Sequence, residues 1–497
     1  MTPARLSKTR FLSGQQCHLR LWYEVWAREL ASPVDAATEA IFAAGHEVGE
    51  LARDRFAGGI LVEEDHLHGR EAVHSTAVLL AARAVRAIYE GGFEHAGVLV
   101  RADILVRTRD GGWDLVEVKS TTRVKEVHDL DLAIQAWVLR GAGVALRRCG
   151  VLTLDRDYVW PGGAYDLDAL FRLHDRTAEV ESLLPGIRAE VANLHAMLAA
   201  ARAPDIAPGA QCRTPYPCPF HAHCTRDAAH PEWPLESLPA LPARRREELR
   251  IMGIEDVREI PQDFDLGALQ QVARQAICTG TDVIHGDLAG ALASVRHPVH
   301  HLDFETVGPA IPGYSGTRAY DTVAFQFSVH TWHADGQLTH REYLHTDAGD
   351  PREPLARALL DALGEQGAIV VYTGFEQRVI GALADALPPL AAPLRALLPR
   401  LWDLHAVLRR SYYHPRFRGS FSIKSVLPAL VPGLGYDALA ISDGNLAAAS
   451  YLQALRSADA GLRERIFRAL REYCGRDTLG LLRIREALAA RVRTAAL

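Results

Sequence analysis

"WDLVEVKS", residues 113–120, sets Glu117 and Lys119 two positions apart in a run otherwise suited to a strand. On a strand, residues i and i+2 project from one face, so this carboxylate and this ammonium emerge together. Upstream, "RADILV", residues 101–106, has the same strand character and holds Asp103, and the "RDGG" between them has turn composition. Pairing across that turn brings Asp103 beside Glu117 and Lys119. Two carboxylates and a lysine make a site for one or two Mg²⁺ or Mn²⁺ ions, with the lysine near an attacking water or developing phosphate charge. The plainer alternative is a half-buried strand with solvated charges. The upstream Asp103 and the following helical "AIQAWVL", residues 133–139, weigh against it.

Working outward, residues 35–57 and 69–90 carry apolar positions at helical spacing. "LDLAIQAWVLRGAG" reads as a short helix ending in glycine, "ALRRCGVLTLD" as a strand, and residues 167–203 as a long helical stretch. Together these predict a mixed α/β domain over residues 1–228. Residues 229–296 read as short helices around a Gly-Ile turn, a helical linker. From residue 297 a second α/β pattern begins with three strands, "HHLDFETV", "TVAFQFSVH" and "HREYLHT". A helix near 351–365, a buried strand "AIVVYT", a helix "FEQRVIGALADAL" and a mostly helical C-terminus complete a domain over 297–497.

The chain has 497 residues, 48% hydrophobic and 23% charged, which is a globular composition with room for more than one core. A net charge of −6 argues against a uniformly basic nucleic-acid coat and leaves local patches. No run of apolar residues is long enough for a membrane span, and the start lacks a signal core, so no membrane partner and a cytoplasmic location are expected. A Walker-type phosphate loop is absent, so any unwinding requires a separate helicase or ATPase.

"CRTPYPCPFHAHC", residues 212–224, clusters Cys212, Cys218 and Cys224. In a reducing compartment such a cluster points to a metal rather than disulfides. Three thiols need a fourth ligand. His221 or His223 would complete a zinc site locally, and Cys17 is the distant candidate. Cys149, Cys278 and Cys474 read as core residues.

Asp103, Glu117, Lys119 and the helix that follows resemble the PD-(D/E)XK nucleases, particularly their RecB-like branch. The resemblance implies a restriction-endonuclease-like fold, with Asp103, Glu117 and Lys119 catalytic, Asp103 and Glu117 binding metal, and Gln135 at the glutamine of the branch's Q-x-x-x-Y motif. Leu139 stands at the motif's tyrosine, and "GHEVG" offers Gly49 where relatives carry a helix-borne histidine, with His46 and Glu50 nearby. Some RecB-like nucleases hold a 4Fe-4S cluster with one cysteine before the core and three after it. By that resemblance the cluster ligands are Cys17, Cys212, Cys218 and Cys224.

A second set of acids lies in the other half. "HLDFETV", residues 301–307, puts Asp303 and Glu305 on one strand face, and "YCGRDT" puts Tyr473 and Asp477 one helical turn apart. Between them Glu376 follows a strand end in "VVYTGFEQRVI". This order resembles the DnaQ-like exonucleases of the tyrosine-containing DEDD class, on an RNase H-like fold. The resemblance implies metal ligation by Asp303, Glu305 and Asp477, a water oriented by Tyr473, and Glu376 in the place of the usual middle aspartate. Asp403 reads as structural. The whole second half also resembles a bacterial domain of unknown function recurrently fused behind a RecB-like nuclease.

"RRSYYHPRFRGSFSIK", residues 409–424, includes Arg416, Arg418 and Lys424 with four interleaved aromatics and no acid. Basic groups that contact phosphates, with aromatics that stack on unpaired bases, make this the nucleic-acid patch. The expectation is a DNA nuclease with two metal-dependent phosphodiesterase sites, acting on single strands or ends in repair, recombination or defence. An RNA exonuclease and a nucleic-acid-binding scaffold with degenerate sites are the alternatives.

Overall fold

The computed structural model describes residues 5–65, 67–227 and 231–495. The chain is α/β throughout and forms two compact units, residues 1–228 with 309–321, and residues 229–308 with 322–497. The expected boundary near 228 falls among residues outside the described set. No helix among the described residues is long and apolar enough to cross a membrane.

The first unit is built on seven strands: β1 (Leu6–Ser7), β2 (Gly59–Leu61), β3 (Ala87–His95), β4 (Val98–Arg107), β5 (Trp113–Lys119), β6 (Leu146–Leu154) and β7 (Phe171–Asp175). The sheet order is β2-β3-β4-β5-β6-β7, with β1 laid parallel against β4. The helices are α1 (Lys8–Gln16), α2 (His18–Trp26), α3 (Ala36–Asp54), α4 (Gly69–Ala81), α5 (Glu126–Gly141) and α6 (Thr177–Ala199). Helix α5 is buried along much of its length, including Leu132, Ala133, Ile134, Gln135, Ala136 and Leu139. A β5–α5–β6 crossover joins two parallel strands and puts that helix on the sheet.

Two expectations for this half are corrected. The helical pattern over 69–90 stops at Ala81, and residues 87–95 form β3, a central strand. Gly92 lets that strand lie close to α4, since a Cβ there would meet Ala72 Cβ at 2.9 Å. Residues 167–203 hold a four-residue helix and strand β7 before α6 begins at Thr177. Pairing with β6 overrides the helical spacing there.

Residues 309–321 belong to this first unit, although the sequence places them inside the other half. Trp160 N donates to Thr317 O at 2.9 Å, Gly316 N to Trp160 O at 2.7 Å, and Tyr165 Oη to Pro312 O at 2.8 Å. Ala310 and Ala319 are buried in a cluster with Val48, Ala52, Tyr89 and Ile104.

The second unit holds a five-stranded sheet in the order β11-β10-β9-β12-β13, and a separate pair, β8 (Val283–Ile284) with β14 (Tyr412–Tyr413). The sheet strands are β9 (Val299–Val307), β10 (Val323–Trp332), β11 (Leu338–Leu344), β12 (Ala368–Val371) and β13 (Leu401–Asp403). The first three pair antiparallel, and β12 and β13 add in parallel. Its helices include α7 (Ala243–Ile251), α8 (Ala268–Thr279), α9 (Arg352–Leu363), α10 (Phe375–Ala386), α11 (Leu404–Ser411), α12 (Ile423–Leu430), α13 (Gly444–Arg456) and α14 (Ala460–Ala495). The 229–296 segment, expected as a linker, is part of this unit, and its strand β8 is tied to Tyr412 and Tyr413 of β14.

Strand β9 separates two chemistries. Leu302 and Phe304 join the core cluster that includes α9 and α10 residues, so Asp303 and Glu305 face the other way. That second face also carries His301, which is fully buried. His301 Nδ1 lies 3.1 Å from the His330 carbonyl and Nε2 lies 3.2 Å from Arg485 Nη1. A carbonyl only accepts and a guanidinium only donates, so the ring is neutral with its proton on Nδ1. Burial, then Arg485, pushes its pKa down to about 3.

A base with a depressed folded pKa leaves the unfolded chain to bind protons first as pH falls. Its contribution is therefore intact above about pH 6.5 and is lost as pH drops toward the folded value. In urea unfolding followed down to about pH 4, wild type should lose about 3 kcal/mol more than His301→Gln. Parallel acid slopes for the two proteins would rule out a neutral buried ring.

Candidate active sites

In the first unit, the β4–β5 ladder stops at Ile104–Val116, just before Asp103 and Glu117. There the Val118 amide donates to Asp103 Oδ2 at 2.8 Å, so the carboxylate takes over a backbone bond and is held in place. Glu117 is 1% exposed. Its Oε1 receives Lys119 Nζ at 2.7 Å and Lys8 Nζ at 2.8 Å, and its Oε2 receives Gln135 Nε2 at 2.8 Å. Lys119 Nζ also reaches Asp131 Oδ2 at 2.7 Å. All four residues expected here, Asp103, Glu117, Lys119 and Gln135, are thus joined through one carboxylate and its neighbours.

Two members of the site were not anticipated. Asp131 stands four residues before Gln135 on α5, hence on the same face, and that spacing was readable. Lys8 arrives from α1 with no local pattern pointing to the site. His46 does not join the group and pairs at 3.4 Å with Glu50 on the exposed side of α3. Leu139, at the tyrosine position, is fully buried.

The charges are strongly coupled. Burial would raise the Glu117 carboxyl, but the ammonium groups of Lys119 and Lys8 outweigh it and hold it well below the usual carboxylate range. Burial, then Glu117, lifts Asp103 to about 7. Burial would lower Lys119, yet Glu117 and Asp131 keep it above its ordinary value, so it is a firm ammonium. Gln135 Oε1 is buried without a partner among the described residues. A buried acceptor left open inside a polar cluster fits a site built to receive a water or an ion.

The thiols of this unit also gather. Burial raises the Cys224 thiol, and Cys218, Cys212 and Cys17 add to that rise, so the four sulfurs lie within electrostatic reach of one another. The loop is pinned by Cys218 N donating to Cys212 O at 2.8 Å and by Gln16 Nε2 donating to Gln211 O at 2.6 Å and Tyr216 O at 2.7 Å. His223 is engaged elsewhere, its ring 5.1 Å from Tyr23 and its Nδ1 3.1 Å from Arg226 Nη1.

In the second unit, Asp303 and Glu305 of β9 meet Tyr473, Cys474 and Asp477 of α14. Ligand atoms of Asp303, Glu305 and Cys474 all lie within 4.8 Å of one another. Tyr436 Oη donates to Asp477 Oδ1 and fixes that carboxylate. Glu376 opens α10 and hydrogen-bonds Asp303, while its Oε2 has no partner among the described residues. The turn before it holds Thr373 at φ +86°, a left-handed position costly for a β-branched residue, which sets how α10 starts. Asp403 Oδ1 accepts from Thr373 N and Ala406 N, each at 3.1 Å, capping α11 and bracing the turn.

The acids here crowd with little compensation. Burial, then Asp477 and Glu305, raises Asp303 far above the carboxylate range. Burial, then Asp477, does the same to Glu305 against the pull of Lys424. Burial brings Glu376 to about 8 and Asp477 to about 6. Such a set is short of cationic charge, which a divalent ion would supply. Burial, then Asp477, raises the Tyr473 phenol, so it stays a hydrogen-bond donor.

Cys474 is buried, as expected of a core residue, and its Sγ packs 3.8 Å from Asp303 O at the centre of the acid set. Further expectations change here. Cys278 is exposed rather than buried. Tyr412, Tyr413, Phe417 and Phe421 are buried and pack edge-to-face, so they form core instead of a stacking platform for bases. Arg418 folds back over Trp233, 4.8 Å from its ring, with Nη1 donating to Glu232 O at 3.2 Å. Arg416 is exposed. Lys424 faces the site, 5.6 Å from the Tyr473 ring and 5.7 Å from that of Tyr436. A cleft of about 350 Å³ runs along Tyr372, Thr373, His405, Arg409, Phe421 and Ser422.

Residues 300–422 match the family described as Domain of unknown function (DUF2779). The match includes Asp303, Glu305 and Glu376, and stops before Lys424, Tyr473 and Asp477. No curated protein matches the chain.

Proposed function

We propose that the chain is a metal-dependent DNA nuclease with two phosphodiesterase sites. The first unit is read as a RecB-like, restriction-endonuclease-like (PD-(D/E)XK) domain with an iron–sulfur cluster. The second is read as a DnaQ-like 3′–5′ exonuclease of RNase H-like fold. The observation that carries the reading is the meeting of Asp303 and Glu305 from β9 with Asp477 from α14, acids remote in sequence and crowded beyond what Lys424 offsets.

Mg²⁺ or Mn²⁺ held by Asp103 and Glu117, and by Asp303, Glu305 and Asp477, would supply Lewis acidity and acidify an attacking water. Each side chain then has a task its own chemistry allows. Lys119 keeps its proton and so offsets charge growing on a phosphate oxygen rather than removing a proton. Gln135 orients Glu117 through its amide. Tyr473 donates its phenol hydrogen to position a water, and Tyr436 keeps Asp477 from rotating. Arg409 and His405 line the neighbouring cleft with donors suited to a strand's phosphates.

A cluster is preferred to a single zinc ion because Cys17 lies within electrostatic reach of the three loop cysteines, while His223 is engaged with Tyr23 and Arg226. Ligation of a 4Fe-4S group by Cys17, Cys212, Cys218 and Cys224 would tie the end of α1 to the 212–224 loop and add folding energy.

The test is anaerobic purification with iron analysis, followed by digestion of end-labelled DNA and matched RNA strands with Mn²⁺. Lys119→Ala and Asp303→Ala should each remove one activity, by on the order of 10²-fold or more. Cleavage confined to RNA would replace the substrate. Unchanged cleavage by both variants, or none by wild type, would sink the two-site reading.

A further inference from the structure

Lys8 is the one cationic group of the first site with no task in that scheme. Its Nζ lies 2.8 Å from Glu117 Oε1, 3.1 Å from Glu117 Oε2 and 3.5 Å from Asp103 Oδ1. Lys119 instead pairs with Glu117 and Asp131. Lys8 therefore sits between the two carboxylates that come from neighbouring strands. Asp103 Oδ2 is already committed to the Val118 amide, so Oδ1, the oxygen facing Lys8, is the one available to a ligand.

This placement is anchored from several sides. Leu6 and Ser7 pair with Val98 and Leu99 of β4, the strand that bears Asp103. Ser7 Oγ accepts from Arg10 N at 3.2 Å and caps α1, so the helix begins at Lys8 itself. Arg5 pairs with Glu94 at 2.9 Å, and Leu6 and Phe11 are fully buried. The backbone at Lys8 is thereby locked to the site's own sheet. The lysine side chain keeps 22% of its surface exposed, which leaves its flexible stem a way out.

We propose that Lys8 is a resident countercation, holding the place between Asp103 and Glu117 that a divalent ion takes and giving it up when the ion arrives. The proposal rests on reading this group as a metal-dependent nuclease site. Without an ion, Asp103 and Glu117 would repel across a short gap, and the ammonium keeps them together. The same pairing competes with metal. If the carboxylates are free of Lys8 a tenth of the time, apparent metal affinity falls about tenfold.

The experiment measures Mn²⁺ binding to the full-length protein by loss of the free-ion paramagnetic resonance signal. An Asp303→Asn background keeps the second unit's acids out of the isotherm. Lys8→Met should tighten the Asp103-dependent site about tenfold, and Lys8→Arg, which keeps the charge, should not. Lys8→Gln, which retains one hydrogen bond to Glu117, is the second neutral variant should Lys8→Met unfold. Unchanged or weaker binding in the neutral variants, with Asp103→Asn still abolishing it, overturns the countercation role and leaves the site standing. Absence of any Asp103-dependent Mn²⁺ binding overturns both.

Discussion

Asp303→Asn should make the metal-free protein more stable and diminish its stabilisation by divalent cations. Burial, Asp477, Glu305 and Glu376 all raise the Asp303 pKa in the folded chain. A carboxyl raised in this way contributes stability that is full below its unfolded pKa of about 3.9 and is lost as pH climbs toward the folded value. Near neutral pH the side chain is either protonated at a cost or ionised against other acids. Asparagine is neutral at every pH and escapes both penalties. Because Asp303 is only half-buried by accessible surface, the gain expected is that of relieving a strained functional site, about 0.5–2 kcal/mol or a few degrees in Tm.

The same variant loses a ligand. Wild type at saturating Mg²⁺ or Mn²⁺ should gain about 2.7 kcal/mol when the ion stands at a hundred times its Kd. Thermal unfolding with and without the ion reads both effects together. A lower Tm for the variant, or an undiminished rise with the ion, would mean that these acids do not form a cation site.

Glu117→Ala should be the most damaging single change in the first unit. It leaves Lys8 and Lys119 facing each other in a poorly hydrated site, with only Asp131 and Asp103 to offset them. Breaking one partner of a buried ionic group costs about 3–5 kcal/mol. Replacing the whole group is a different perturbation. Lys8→Met, Glu117→Leu and Lys119→Met together should recover part of that loss, because both ammonium groups leave with the carboxylate they share and only Asp103 and Asp131 remain, which burial pushes toward the neutral form. Urea unfolding of the single and triple variants makes the comparison, and the triple variant falling further than Glu117→Ala would show that packing outweighs the ion pairs.

Much of the site was legible in one dimension because strand and helix periodicity is a local property. Glu117 and Lys119 share a face at i and i+2, as do Asp303 and Glu305, and Tyr473 and Asp477 at i and i+4. Asp131 belonged to the same logic and was readable beside Gln135. Lys8 and Tyr436 were not, since nothing near either one encodes which carboxylate it will meet. Strand β3 was hidden by apolar spacing shared with a helix, and only its pairing to β2 and β4 decides it. The aromatics of 409–424 showed the opposite failure. Their chemistry suits stacking on bases, but their fate depends on what covers them, and Phe417 is fully buried.

From the residue order alone came the α/β class, the acids on their strand faces and the cysteine cluster, because backbone geometry converts short spacings into directions. Folding in three dimensions settled the rest: which lysine closes on Glu117, that Cys474 lies against Asp303, and that residues 309–321 pack with the first unit. Those outcomes depend on contacts between segments more than a hundred residues apart, and burial there sets each group's charge. A local pattern carries no information about either.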